Sequence, residues 1–376
     1  MLSVAFVLFV LTRYHSPQLA GTATFLLLFP GILVSPVAGV LLDRYGRTRL
    51  ITLDYVVAAT GVFLMAALSV ERALPPLLLV ISGLSSLTVP LSAAGVRSMF
   101  PTVVPGHLWE RANAMDNSSM VLATVVGAPL AGVLVGLAGP EWALVATGSL
   151  FAGAALAMLR VPDPSVKQRE GGILAGALSG LTYVFRNRTL VGLALTFLAT
   201  GVGWGILTIA VPVLVLGRLH QGPAVVGYLQ GGVAAAGFLA SLVAGRLNTL
   251  GRERQLMVVS IVAWALAMCV LPFASSVWLV AVALVAIAVL ETPFDIAFLT
   301  LRQRRTDPSR FGRVFAVSMS LNVAGTPVGS ALAGALIGWS LNAALWAAVA
   351  ITLVGVISPI LVIPAEDEAS RTVRSG

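Results

Sequence analysis

The chain alternates long apolar runs with short clusters of charged residues. Runs of about 20 apolar residues can cross a bilayer as helices, and the sequence lacks the ten-residue alternation of a membrane β-barrel. Because helices satisfy their own backbone hydrogen bonds in lipid, the pattern predicts an all-α polytopic membrane protein. The predicted spans are 19–42, 50–70, 75–99, 114–138, 141–160, 190–216, 223–247, 256–273, 276–301, 313–338 and 341–363.

The first apolar piece, 1–13, is shorter than the others. As a helix it would reach only ~20 Å, less than the ~30 Å thickness of the hydrocarbon core. We interpret it as an incomplete first helix, which brings the predicted number of transmembrane helices to twelve.

The basic residues predict the orientation. With these spans, 20 of the 23 Lys and Arg residues fall on one side of the membrane, and Arg13, Arg72 and Arg218 fall on the other. Loops rich in Lys and Arg stay in the cytoplasm. We therefore expect a multi-pass protein of the inner (cytoplasmic) membrane of a bacterial cell, with both termini in the cytoplasm.

The longest connection divides the chain into two halves. We predict an N-terminal six-helix bundle over 1–160 with helix 1 incomplete, a cytoplasmic linker over 161–189, a C-terminal six-helix bundle over 190–363 and a cytoplasmic tail over 364–376. The second part of the linker fits a helix on the membrane surface and fits a plain linker equally well.

The two halves repeat each other. "TVVGAPLAGVLVGLA" (124–138) and "NVAGTPVGSALAGAL" (322–336) share Val, Gly, Pro, Leu and Gly in register. Small residues allow close helix packing and proline bends a helix, so Gly127, Pro129, Gly325 and Pro327 are candidate helix-bend residues. Paired halves around a site near the middle of the bilayer are typical of secondary transporters.

Composition excludes several other classes. Hydrophobic residues make up 58% of the chain and charged residues 10%, and the net charge of +8 is spread over loop clusters rather than over one face, which argues against a nucleic-acid partner. The sequence has one cysteine, Cys269, three histidines in loops and no GxxxxGK[ST] loop. We expect no enzyme activity, no cofactor and no metal site.

One charged turn carries a family resemblance. "GVLLDRYGRTR" (39–49) resembles the signature between the second and third helices of the major facilitator superfamily. The resemblance implies a fold of two pseudo-symmetric six-helix bundles, and a latch between the halves that holds one conformation closed on the cytoplasmic side. A solvated turn with orientation charges is the alternative for the arginines. The implied latch residues are Gly39, Asp43, Arg44, Gly46, Arg47 and Arg313.

Other stretches resemble the drug-efflux branch of that superfamily, which includes macrolide and enterobactin exporters. They are "VPGHLWERANAMDNS", "GGILAGALSGLTYVFRNRTL" and "RQRRTDPSRFGRVFAV". This resemblance implies export of an amphipathic small molecule (a drug, a macrolide-like compound or a siderophore) by alternating access and proton antiport. The alternatives are a lipid or lysolipid translocator and a non-transporting sensor or degenerate transporter.

Two acids lie inside a predicted span. Glu291 and Asp295, in "VLETPFDIAFLTLRQ", are four residues apart and so lie on the same face of helix 10. Inserting an acidic side chain at the middle of the bilayer costs about 2.5–3.5 kcal/mol, so each acid there is expected to have a specific role. They are our candidates for proton coupling; the alternatives are that Arg302 neutralises the carboxylate and that the carboxylate already lies near cytoplasmic water.

Other polar residues near or within the predicted spans are candidates for structural ion pairs or for a substrate cavity. Asp54, Arg97 and Asp116 are candidate structural ion-pair residues. The candidates for lining a central cavity are Asn117, Trp204, Gln230 and Asn322. A single residue of this kind more often stabilises helix packing than it binds a ligand. The expected partners are a small-molecule substrate, protons and membrane lipid, and the protein is expected to be a monomer.

Overall fold

The structure, a computed structural model, describes residues 1–70, 75–162, 182–244, 249–306 and 323–364, and these residues are helical apart from short connections. Ten of the described helices are long and apolar enough to cross a membrane, which confirms the predicted fold class. In the first half the helices are α1 Leu2–Tyr14, α2 Pro17–Tyr45, α3 Arg47–Val70, α4 Pro75–Ser86 and Val89–Val103, α5 Trp109–Ala138 and α6 Pro140–Met158. In the second half they are α7 Arg188–Val213, α8 Pro223–Ala244, α9 Glu253–Met268, α10 Val277–Arg304, α11 Gly325–Trp339, and α12 Leu341–Val354 and Ile357–Leu361.

The helix starts are set by capping side chains. Ser16, Asn187, Ser276 and Ser340 each accept a hydrogen bond from the backbone N–H three residues later, at 3.1, 3.2, 3.3 and 3.4 Å. Each bond satisfies one of the donors that a helix leaves unpaired at its N-terminus. Pro17 follows Ser16 at the first helical position, which explains why α2 begins two residues before the predicted span.

One predicted span is broken in the structure. The sequence predicted a continuous helix over 75–99, but α4 is interrupted at Leu87 and Thr88. Pro90 has no backbone N–H to donate to the preceding turn, so a continuous helix would lose a hydrogen bond and suffer a clash there.

The first helix lies inside the bundle. Residues 5–11 of α1 are all buried, which is typical of a helix surrounded by other helices. It contacts α2, α5, α6 and α7. α6 ends at Met158 and α7 begins at Arg188; most of the predicted linker (163–181) and nearly all of the predicted tail (365–376) lie outside the described residues.

Two helix pairs make the most extensive contacts between the halves, α2 with α11 and α5 with α8. In the second pair the backbones touch: a Cβ on Gly132 would lie 2.8 Å from the carbonyl oxygen of Pro223, and one on Gly227 would lie 2.6 Å from that of Ala128. In the first pair Gly21 faces Gly334 in the same way. Such contacts are typical of helices that associate in lipid through small residues.

These crossings lie at one end of the bundle. We call the end where α2 stops and α3 starts the arginine-rich end, since the described arginines gather there, and the end where α1 stops and α2 starts the opposite end. Gly132 and Gly227 lie close to the opposite end. On the same face of α8, Phe238 and Leu242 are 42% and 59% exposed toward the arginine-rich end. The two halves therefore meet at the opposite end and diverge toward the arginine-rich end.

Two turns in each half show the repeat of the halves directly. Arg13, His15 and Gly46 have counterparts 205 residues later in Arg218, His220 and Gly251. Both histidines have a φ of 49°, and the two glycines have φ values of 95° and 73°. The backbone therefore takes positive φ values at equivalent points of the two halves.

A glycine pair on α8 tests the crossing. Gly227→Ala places a methyl group against the backbone of α5, whereas Gly232→Ala meets nothing within 4 Å. Both changes raise helix propensity by a similar amount, so the difference between them isolates the clash. We expect Gly227→Ala to be less stable than Gly232→Ala by about 1–3 kcal/mol, measured by thermal unfolding in detergent; equal stabilities would contradict the backbone contact.

Candidate functional site

A cavity of about 250 Å³ lies between the two halves. Helices α1 and α2 of the first half and α7, α8, α10 and α11 of the second contribute its walls. Trp204 and Gln230, two of the residues predicted as cavity candidates, lie in the wall. Binding sites between the repeats of a transporter are expected at this position.

The described cavity wall is apolar with neutral polar groups. Its polar side chains are Ser3, Thr24, Trp204, Thr208, Gln230 and Thr326, and none of its residues is charged. Thr24 is 6% exposed and its Oγ1 atom has no hydrogen-bond partner. A buried hydroxyl without a partner costs free energy, so the Thr24 hydroxyl is available to form a hydrogen bond with a bound molecule.

The two acids of α10 lie on the face that leads to the cavity. Leu284 lines the cavity, and Glu291 and Asp295 follow it by seven and eleven residues, close to two and three helical turns. Glu291 is half-buried and Asp295 is exposed. The exposed apolar side chains Trp278 and Val282 lie on the other side of α10, as expected for a face in contact with lipid. The acids therefore point toward the space between the halves, on the side of the arginine-rich end.

The buried face of α10 packs through aromatic rings. Phe294 and Phe298 stack at 5.7 Å between centroids, and each approaches Phe197 of α7, at 6.1 and 4.9 Å. Arg302, fully buried, lies over the ring of Phe298 at 4.4 Å. This packing fixes the rotation of α10 and so the direction in which its acids point.

The predicted latch is described only in part. Gly46 ends α2 with φ of 95°, a conformation that glycine adopts without cost, and the Arg44 guanidinium lies 5.5 Å from the ring centroid of Tyr45. Arg47 begins α3. Gly39 and Asp43 belong to α2, but the Asp43 side chain is not among the described parts of the chain, and Arg313 lies outside the described residues, so the latch stays a prediction.

The structure describes the candidate ion-pair residues only in part. Asp54 is 3% exposed on α3, between two points where α3 lies against α4, Ile51 on Gly95 and Gly61 on Ser85. Asp116 is half-buried on α5. The side chains of Arg97 and Asn117, and all of Asn322, lie outside the described residues.

The candidate helix-bend residues line helix contacts. Pro129 lies within α5 and packs on Gly231 of α8, and Gly127 lies against Met1. Gly325, the first described residue of α11, lies against Gly201 of α7, and Pro327 is buried two residues later.

Comparison with known proteins agrees with this architecture. The Major Facilitator Superfamily profile matches residues 1–217 and again 193–376, so each half carries the pattern. The chain belongs to the major facilitator superfamily. The prediction that the protein is not an enzyme is confirmed, because membership makes it a transporter.

The curated relatives of this transporter include exporters. It is 38% identical over 348 residues to an uncharacterised MFS-type transporter, y4rN, of Sinorhizobium fredii, covering 91% of this chain and 86% of the relative. It is 28% identical to the enterobactin exporter EntS of Citrobacter koseri (85% and 76% covered) and 25% identical to the multidrug efflux pump Tap of Mycolicibacterium fortuitum (89% and 84% covered). The predicted resemblance to the drug-efflux branch is confirmed.

Solved structures share the fold of this transporter at low sequence identity. The nucleoside transporter NupG superposes with a TM-score of 0.73 at 14% identity, covering 96% of this chain and 93% of NupG. The xylose transporter XylE in an inward-open conformation gives a TM-score of 0.73 at 11% identity, with 96% and 94% covered.

Sequence reasoning missed the polar contacts that close each half of the transporter. At the arginine-rich end Arg304 of α10 pairs with the buried Glu253 of α9, and the Arg305 guanidinium donates to the carbonyl oxygen of Pro364 at 2.9 Å. At the opposite end Arg13 lies 3.9 Å from Glu141, and Arg218 donates to Asn342 at 2.5 Å. The Arg-x-His repeat at 13 and 218 was the available signal for the last two contacts.

Thiol labelling tests which face of α10 meets water. In a Cys269→Ala background, we expect Asp295→Cys to react quickly with a charged thiol reagent and Val289→Cys to react slowly. Val289 is 42% exposed but lies on the lipid-facing side, where a charged reagent does not enter. Labelling from each side of sealed vesicles also tests the predicted orientation. Fast labelling of Val289→Cys with protection of Asp295→Cys would reverse our assignment of the two faces.

Proposed function

We propose that this transporter is a secondary active exporter of amphipathic small molecules, working by alternating access and proton antiport. The single observation that carries the proposal is the central cavity, which both halves line and which their backbone crossings close at one end only. A site that one movement of the halves exposes to the other side is the requirement for alternating access.

The conformation fits an inward-facing state. We place the arginine-rich end in the cytoplasm because loops rich in arginine stay there. The halves then touch on the outer side and diverge on the inner side, so the cavity is ready to receive a molecule from the cytoplasm or the inner leaflet. This is the loading state of an exporter. In the outward-facing state the latch of Gly39, Asp43, Arg44, Gly46, Arg47 and Arg313 would close the inner side.

The chemistry of the cavity supports an amphipathic substrate. Apolar side chains with a few neutral hydrogen-bonding groups suit a molecule with an apolar body and uncharged polar atoms. Drugs, macrolide-like compounds and siderophores fit this description, and the relatives named as exporters of enterobactin and of multiple drugs support export over uptake.

Glu291 and Asp295 are our proposal for the coupling site. They lie one turn apart on the face of α10 that leads from the cavity toward the arginine-rich end. Two carboxyl groups so close cannot both ionise without a cost in free energy, so the protonation of one depends on the protonation of the other. A carboxyl that gives up its proton on the inner side and regains it on the outer side supplies the drive for export.

Proton movement in everted vesicles tests the proposal. Addition of a transported compound is expected to release protons from an imposed gradient, read by a pH-sensitive dye. Glu291→Gln is expected to abolish the response, since glutamine keeps the shape of the side chain and cannot carry a proton. Asp116→Asn is the matched control, an acid-to-amide change away from α10, and should respond like the parent.

Each outcome assigns a role. A response in the parent that survives in Glu291→Gln supports export and removes the coupling role of Glu291. If no drug or siderophore in the panel gives a response and fluorescent lysolipid moves between leaflets, the lipid translocator replaces the exporter. A parent that moves none of these compounds would make it a non-transporting sensor or a degenerate transporter.

A further inference from the structure

A second carboxyl is buried far from α10. Asp54 of α3 is 3% exposed and its Oδ1 atom has no hydrogen-bond partner. Desolvation of an ionised carboxylate costs several kcal/mol unless it is paired and fully hydrogen-bonded. The proposed function does not use this residue.

The groups beside Asp54 lie at the break of α4. Thr88 is in the interruption itself, and Ser92 is one turn later. Ile51 of α3 lies against Gly95 and Ser85 of α4 lies against Gly61, so the stretch of α4 between them, which carries both hydroxyls, runs beside Asp54. Each hydroxyl also contacts a backbone carbonyl of α4: Thr88 Oγ1 lies 3.3 Å from the oxygen of Ser85, and Ser92 Oγ lies 3.2 Å from that of Val89.

A hydroxyl has a single proton to donate. When Thr88 and Ser92 donate to the carbonyl oxygens of α4, neither has a proton left for Asp54, so the buried carboxyl is favoured in its protonated form, which donates its one proton to one of the two hydroxyls. When Asp54 is ionised, it can only accept, and the hydroxyls must turn away from the carbonyls to donate to it. The proton on Asp54 and the hydrogen bonds at the break of α4 are therefore linked.

We propose that Asp54, Thr88 and Ser92 form a proton-binding site that controls the bend of α4. Loss of the proton to water at the arginine-rich end leaves a carboxylate, draws both hydroxyls away from α4 and frees two carbonyl oxygens at a point where the helix is already interrupted. The second part of α4, Val89–Val103, then changes its angle to the first part, Pro75–Ser86.

The charged and titratable groups near the site come from four helices. On α3 itself Tyr55 is adjacent to Asp54, and Arg47 and Arg49 lie in the first turn, seven and five residues before it. The facing helix α6 carries Glu141, at the far end, and α2 carries Arg44 and Asp43 in its last turn. Arg97 of α4 is the one cation in the second part of that helix by sequence, and an ion pair between Arg97 and Asp54 is the competing explanation. It requires that Asp54 stay ionised.

Two readings on the full chain test the inference. Infrared difference spectra between acidic and alkaline buffer report the C=O band of a protonated carboxyl. Spin labels at Leu84→Cys and Val103→Cys, exposed sites on either side of the break, report the angle of α4 in a Cys269→Ser background. We expect both signals to change with pH in the parent.

Three variants separate the steps. Asp54→Asn should lose its part of the carboxyl band and should hold the label distance at its acidic value, because the amide donates as a protonated carboxyl does. Thr88→Val with Ser92→Ala should keep the titrating band and lose the change in distance. Asp116→Asn should behave like the parent in both readings.

The opposite results would overturn the proposal. An Asp54→Asn variant that titrates like the parent removes the site, and a parent band without an Asp54 contribution supports the ion pair with Arg97. If Asp54→Asn does not fold, the hydroxyl double variant still decides, since an unchanged distance response there refutes the link. These measurements need no transported compound, so their outcome does not depend on whether the proposed export function is correct.

Discussion

The backbone contact between helices of opposite halves is the constraint on which the rest of this transporter depends. In lipid, apolar side chains gain little by leaving one apolar environment for another, so helices associate through van der Waals packing and a few polar bonds. At the crossing of α5 and α8, Gly132 and Gly227 bring the main chains into contact. The cavity exists because this contact closes one end of the space between the halves and leaves the other end divergent.

Polar groups are used sparingly and in defined places. The described wall of the cavity holds hydroxyls, an amide and an indole but no charge. Ion pairs and arginine–carbonyl bonds lie at the two ends of the helices, where water lowers their cost. Three of the acids in the described spans are Glu291 and Asp295 on one half and Asp54 on the other, and they lie beside the divergent space and the break of α4, respectively.

Much of the architecture could be predicted from the sequence, because long apolar runs and the distribution of arginine depend on the lipid environment alone. The helix-forming runs, the repeat of Gly127 and Pro129 in Gly325 and Pro327, and the family signature at Gly46 needed no contact information. Trp204 and Gln230 were singled out as polar groups within apolar spans, and both lie in the cavity wall.

The part of the site formed by Thr24 and Thr208 was not predicted, because a hydroxyl within a span usually bonds to its own helix and gives no signal of what it faces. The position of Asp54 beside Thr88 and Ser92 depends on how α3 packs against a broken α4, which no local pattern encodes.

The crossing of α5 and α8 has a consequence for how the two halves move. Interdigitated side chains would have to disengage and change rotamers before one half could tilt on the other. Two smooth strips of backbone can instead roll, with the point of contact travelling along the helices while the area of contact stays nearly constant. In the proposed alternating-access cycle, opening one side and closing the other would then be a single motion about a shifting pivot. A continuous aqueous path across the membrane, which would dissipate the proton gradient, need not form at any stage of it.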